Sequence, residues 1–207
     1  NAAIINKVEL FVQPSVAFVY GNQSGDFVTE ATSIPSEPVA MVKSALAMER
    51  LLQEKLSQHV PFVILRFGMF YSEDSFHTKS LIEDVKARKM PIIGSGDNYM
   101  NFIHTEDAAT AIVYALNRSQ HLANAIINVS DFNPVTSREL LENLSSFLNV
   151  SGPRVIPKFL ARLVLGKDIY HFATDSYRLK KAEIMSAWEP KHKSFLTWVK
   201  SNYHLLN

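Results

Sequence analysis

The segment that opens at Pro38, PVAMVKSALAMERLL, carries Lys43 and places Val39 four residues before it. On a helix those two positions share a face. With a tyrosine at the earlier one, the ammonium would lower the phenol's pKa and the pair could exchange a proton with a substrate hydroxyl or carbonyl. Valine has no proton to exchange. The pattern therefore leaves three expectations open: an enzyme, an enzyme with altered chemistry, or a protein that only binds. His104, in MNFIHTED, invites an acid, base or metal-ligand reading. No second ligand stands at helical or hairpin spacing from it, so a structural histidine and no metal site are expected. The GSGD at 94–97 contains a Gly-x-Gly, but it joins two expected strands and opens no helix, which reads as a turn rather than a phosphate cradle.

These residues need elements to position them. Lys7 to Val12 alternates and then runs apolar, and SVAFVYG is expected to continue that strand to a turn at Gly21. A helix follows from about Pro38 to about Gln58, with Val39, Val42, Leu46 and Leu52 at roughly helical spacing. VPFVILRFGMFY reads as one strand buried on both faces, and strand, helix, strand is the right-handed parallel crossover. Beyond Tyr71 come a helix near Thr78 to Lys89, two strands around the Gly turn, and a helix with Thr105 as N-cap and Glu106 and Asp107 in its first turn. AIINVS is another buried strand, and Thr136 with Glu139 forms a capping box for TSRELLENLSSFL. From Pro153 the chain is expected to be mainly helical, with a break at Trp188 to Pro190.

Composition narrows the classes. At 207 residues, 47% hydrophobic and 20% charged, the chain has the balance of an ordinary folded protein. A formal charge of +1 with scattered Lys and Arg argues against nucleic acid as a partner. There is no cysteine, hence no disulfide and no thiolate, which fits a reducing cytosol, and no apolar run reaches membrane-spanning length. A cytoplasmic protein without membrane contact is the expectation.

Taken in order, SVAFVYG, the helix with Lys43, VILRFGMFY, PIIGSGDNYMNFIHTEDAATAI, AIINVSD and KAEIMSAWEP resemble the extended short-chain dehydrogenase/reductase superfamily, the NAD(P)-dependent epimerases, dehydratases and reductases. QPSVAFVYG and PRVIPKFLARLVLG look most like an atypical branch of oxidoreductases in which the Tyr-x-x-x-Lys pair is often incomplete. The resemblance implies an α/β fold: a partial Rossmann sheet over residues 1–72, and a small, mostly helical substrate lobe over 73–207 whose strand at about 124–130 rejoins the sheet. It implies NAD or NADP as cofactor and a small hydroxyl or carbonyl compound as substrate. Lys43 matches the family's catalytic lysine, which also holds the nicotinamide ribose, and Val39 stands in the tyrosine slot. Val16 stands in the usual Ser/Thr slot, with Ser15 one residue earlier as the candidate donor. Tyr20 and Tyr71, at strand ends, are candidate substitute phenols and substrate contacts. Phe67, Gly68 and Met69 follow the chain that wraps the nicotinamide. Met100 and Asn101 fall on the substrate side, and Met100 occupies a slot where many sugar-nucleotide enzymes carry the Arg that pairs with the diphosphate.

The resemblance starts late, without the Gly-rich strand-turn-helix that binds pyrophosphate. The chain is therefore expected to be the later part of a longer protein, or a truncated product without that site, with poor stability on its own. A homodimer is expected for the longer form. A non-catalytic nucleotide-binding or regulatory homologue is the alternative to an enzyme.

Overall fold

A run of buried β-branched and aromatic residues needs strands on both sides of it, and the computed structural model of the chain, which describes residues 2–206, supplies them around the run ending at Phe67. The first elements are α1 (Ala2–Ile5), β1 (Phe11–Val16), β2 (Phe27–Val28), α2 (Ala40–Lys55), β3 (Phe62–Phe67) and β4 (Met69–Tyr71). Then come α3 (Phe76–Lys86), β5 (Ile92–Ile93), β6 (Tyr99–Met100), β7 (Phe102–His104), α4 (Thr105–Leu116), α5 (Ser119–Leu122) and β8 (Ala125–Val129). The last are β9 (Val135–Thr136), α6 (Ser137–Phe147), β10 (Val155–Ile156), α7 (Lys158–Thr174), β11 (Arg178–Leu179) and α8 (Phe195–Asn202).

The main sheet is parallel, in the order β1-β3-β8. Its register sets Ser15 beside Arg66 beside Asn128, and Val16 beside Phe67 beside Val129. One face buries Val63, Leu65, Phe67 and Ile127 against Ala108 and Ala111 of α4. The other buries Phe62 and Ile64 against Leu56 and Val60 at the end of α2. Helices thus cover both faces of a parallel sheet, the α/β arrangement expected. A second core gathers Tyr71, Ile82, Leu140, Leu144, Phe195 and Trp198 among α3, α6 and α8. Among the described residues no helix is long and apolar enough to cross a membrane.

β1 has no strand on the side away from β3 among the described residues. Phe11 donates its amide to Pro61 O at 2.9 Å, so by alternation Phe11, Gln13 and Ser15 turn their backbone groups to β3. Pro14, one step out of phase and exposed, stands where an N–H would have faced the open edge.

Several boundaries differ from expectation, each for a local reason. The first strand stops at Val16, where the chain turns through a 3-10 segment, Ala17–Tyr20, that buries Ala17, Val19 and Tyr20. α2 starts at Ala40, with Val39 extended (φ −61°, ψ 153°), and the Ala40 amide finds its acceptor in Asp168 Oδ1 of α7 at 3.1 Å. The run VPFVILRFGMFY is two strands broken at Gly68, where a Cβ would lie 2.7 Å from the Asn101 carbonyl oxygen. α3 ends at Lys86, and Arg88, with φ 56°, takes the left-handed conformation that stops a helix before Lys89. His104 rather than Thr105 caps α4, its Nδ1 accepting from the Glu106 amide at 3.2 Å. The tail also contributes a strand, β11, which pairs with β2.

Candidate active site

Ser15, Arg66 and Asn128 form one row across the sheet, so their side chains leave the same face, toward α2. The stripe that α2 turns to the sheet includes Glu49, only 3% exposed, as is Arg66. Glu49 receives Arg66 Nη2 at 2.6 Å, Arg66 Nε at 3.1 Å and the Ser15 hydroxyl at 2.6 Å. Arg66 Nη1 reaches the Tyr20 oxygen at 3.0 Å, and that hydroxyl donates to Asn128 Oδ1 at 2.8 Å. Glu30 Oε1 accepts the Asn128 amide at 2.7 Å. Burial pushes the Tyr20 phenol up, against the pull of the adjacent guanidinium. This is a paired, hydrogen-bonded circuit beneath the sheet edge, and it engages both Ser15 and Tyr20.

A cavity of about 560 Å³ opens at the carboxyl ends of β1 and β3, where open α/β sheets bind ligands. Val16 and Gly68 contribute from the ends of β1 and β3, Met69 and Tyr71 from β4, and Met100 from β6. α3 adds His77, Thr78, Ser80, Leu81 and Asp84 to the wall, and α7 adds Phe172. The Gly68 amide is held by Val129 O at 3.0 Å and the Met69 amide by Asn101 O at 2.7 Å, so this wall is fixed against both β8 and the link between β6 and β7.

The candidate residues thus divide. Gly68, Met69, Tyr71 and Met100 meet at the cavity. Phe67 lies beneath it, 1% exposed in the core under α4, with its ring 5.2 Å from that of Phe70. Asn101 is 4% exposed and ties the link between β6 and β7 to the tail, donating to Tyr177 O at 2.9 Å and accepting from the Leu179 amide at 2.9 Å. Lys43 is exposed in the first turn of α2, outside the cavity lining, and makes no ion pair among the described residues. Val39 precedes the helix instead of sharing a face with Lys43, and packs on the cluster of Ala17, Tyr20 and Val42.

Tyr71 is the phenol at the cavity. Its hydroxyl is buried without a hydrogen-bond partner among the described residues, and burial, with Asp131 and Asp107 nearby, pushes it well above the ordinary phenol range. Its ring stands edge-on to His104, Phe195 and Trp198, at 5.1, 5.0 and 5.2 Å. His104 meets His192 at 3.9 Å between ring centroids, and burial and that neighbour lower its pKa. His104, Glu106 and His192 bring their ligand atoms within 4.8 Å of one another. The Glu106 carboxylate is already taken by His192 at 2.8 Å and by Lys191 at 2.9 and 3.1 Å, contacts that hold it down at about 2.

Glu49, Asn128, Asp131 and His192 escaped the sequence reading. Glu49 had a signal: an acid on the inward stripe of a helix, facing a strand whose sole charge is Arg66, needs that partner. His192 had none, standing 88 residues after His104 and meeting it only through the fold of the tail.

The profile of the NAD dependent epimerase/dehydratase family matches residues 1–130. The chain belongs to this family. Among curated relatives, the 3-diazoavenalumate denitrifying reductase of a Streptomyces species is 26% identical over 160 residues, 75% of this chain and 51% of that protein. The chain spans about half the length of the curated relatives it matches, 51% and 57%. The structure of a human epimerase family protein with NADPH superposes with a TM-score of 0.76 at 13% identity, over 94% of this chain and 66% of that one. The UDP-glucose 4-epimerase of Thermus thermophilus in complex with NAD superposes at 0.71 with 20% identity, over 99% and 66%. Those structures share the fold of this chain.

Proposed function

We propose that this chain forms the substrate side of the cleft in an NAD(P)-dependent oxidoreductase or epimerase-like protein acting on a small hydroxyl or carbonyl compound. The observation that carries the reading is the cavity at the carboxyl ends of β1 and β3, floored by Gly68 and Met69. The described residues suit the nicotinamide end of a dinucleotide: Gly68 presents no side chain there, and Val16 and Met69 offer flat apolar contact. They include no Gly-rich turn opening a helix for the pyrophosphate; the turn at Gly94 and Gly96 joins β5 to β6 and is filled by Lys158 and Arg138. A bound nicotinamide would supply or accept the hydride. Lys43, exposed and unpaired on a helix that packs on the Ala17–Tyr20 turn, holds the ribose in this reading. Tyr71 lines the cavity, but its hydroxyl is buried and stays protonated across the neutral range, so in this reading it shapes the wall and does not act as a base.

Saturation-transfer NMR of the chain with NADH, and then with NADPH, tests the placement. Nicotinamide protons should receive more saturation than adenine protons. No transfer, or stronger transfer to adenine, would overturn the reading.

A non-catalytic binder is favoured by one observation: the Ser15 and Tyr20 hydroxyls are committed to Glu49 and Asn128, and the Tyr71 hydroxyl is buried. Turnover decides between the two: a catalyst consumes NADH or NADPH when a carbonyl compound is added, and a binder holds the dinucleotide without consuming it.

A further inference from the structure

We infer that the cavity takes a neutral aromatic carbonyl or hydroxyl compound, and not a nucleotide-linked sugar; the inference rests on the substrate-cleft reading above. The walls are aromatic and sulfur-rich: Phe18, Phe70, Phe102, Phe172, Met90 and Met100 all face it. Phe18 and Phe172 close one side with ring centroids 4.8 Å apart, and Phe70 and Phe172 remain 44% and 42% exposed. A half-exposed pair of rings gains most from another flat apolar surface laid against it. Thioethers favour ring contacts as well, and adapt to their shape.

Charge points the same way. Among the described residues no Lys or Arg side chain lines the cavity, and its one acid is Asp84, on α3. The loop leading into α3 adds Glu73 and Asp74, and its first-turn amide at Thr78 is already capped by the Ser75 hydroxyl at 3.3 Å. A diphosphate placed here would meet a carboxylate and no cation, whereas anion sites rely on Arg, Lys or free helix amides. The polar wall atoms, on Thr78, Ser80, His77 and Asp84, are few and lie on one helix, enough to orient a single oxygen-bearing substituent on a flat ring system. The volume of about 560 Å³ accommodates a two-ring compound beside a nicotinamide ring.

The test uses 2-acetonaphthone, a neutral two-ring ketone, and UDP-glucose as separate ligands of the same chain, each titrated by saturation-transfer NMR without cofactor. The ketone should bind at least about tenfold more tightly than UDP-glucose. Phe172→Ala and Phe70→Ala, both at half-exposed positions where the fold tolerates truncation, should each weaken the ketone about fivefold or more, with circular dichroism unchanged. UDP-glucose binding as tightly as the ketone, or ketone binding indifferent to both truncations, would overturn the inference. Nicotinamide contact without ketone binding sinks this inference alone. Ketone binding without nicotinamide contact sinks the dinucleotide reading and leaves the cavity's chemistry standing.

Discussion

Removing the Glu49 carboxylate would leave the Arg66 guanidinium buried against a phenol with no counter-charge, because Glu49 is its ion-pair partner, at 2.6 and 3.1 Å. Breaking one side of a buried ion pair costs about 3–5 kcal/mol, so Glu49→Ala should lose that much in urea denaturation. A loss under about 1 kcal/mol would mean the pair is not held as described. Asp131 makes a different prediction. Burial raises its carboxyl to about 7 from 3.8, the Asn133 and Phe195 amides pull it partly back, and Asp107 adds to the rise. A folded-state pKa above the unfolded one means the folded chain keeps a proton that the unfolded chain gives up, so this residue's stabilisation is full at acid pH and is lost as pH rises from about 4 to about 7. His104 runs the other way: held neutral by burial, it contributes in full above its ordinary pKa of 6.5 and loses that contribution as pH falls below it. Asp131→Asn should therefore gain on the parent chain by a few kcal/mol between pH 4 and 7.5, while both show the acid-side loss. Melting curves across that range would show a constant difference if the assignment is wrong. At this scale local spacing read through Gly68 as the interior of one strand, although the Asn101 carbonyl breaks the run there, and it was equally silent on a pair that forms across the fold, as with Glu49 and Arg66.

Among the elements, α6 is the one whose start was written in local sequence. Thr136 and Glu139 cap each other reciprocally, the Glu139 amide donating to Thr136 Oγ1 at 3.1 Å and the Thr136 amide to Glu139 Oε2 at 3.0 Å. Thr136→Ala should cost about 1 kcal/mol, within a usual range of about 0.5–2, read as a lower denaturation midpoint with an unchanged m-value. That β3 and β8 are buried strands was legible for a similar reason, since continuous apolar runs need cover on both faces. The start of α2 was not, because its first amide is satisfied by Asp168, more than a hundred residues away. That shift of two residues takes Val39 off the helix, and with it the geometry in which positions 39 and 43 would share a face. Local spacing cannot report a cap that arrives from another element.

Over the whole molecule, the apolar surface is unevenly spread. α7 leaves Phe159, Leu163 and Val164 at 70%, 79% and 75% exposure, ahead of the break at Gly166 (φ 71°). A patch of that kind promotes association, so Leu163→Lys with Val164→Lys should lower the sedimentation-equilibrium mass at high concentration while leaving the melting temperature within about 2 °C, since neither side chain is buried. An unchanged mass would show that α7 plays no part in self-association. The open side of β1 has a different consequence, set by Pro14. A strand laid along it finds the oxygen of residue 14 but no hydrogen to match, and a pyrrolidine ring where a close neighbour's backbone would sit. Two copies meeting edge to edge would duplicate that gap, one in each strand, and the ladder between them would be interrupted twice. A strand whose own sequence tolerates the omission meets it only once. The edge is thus selective about its neighbour: it discourages its own kind more than it discourages a complementary one.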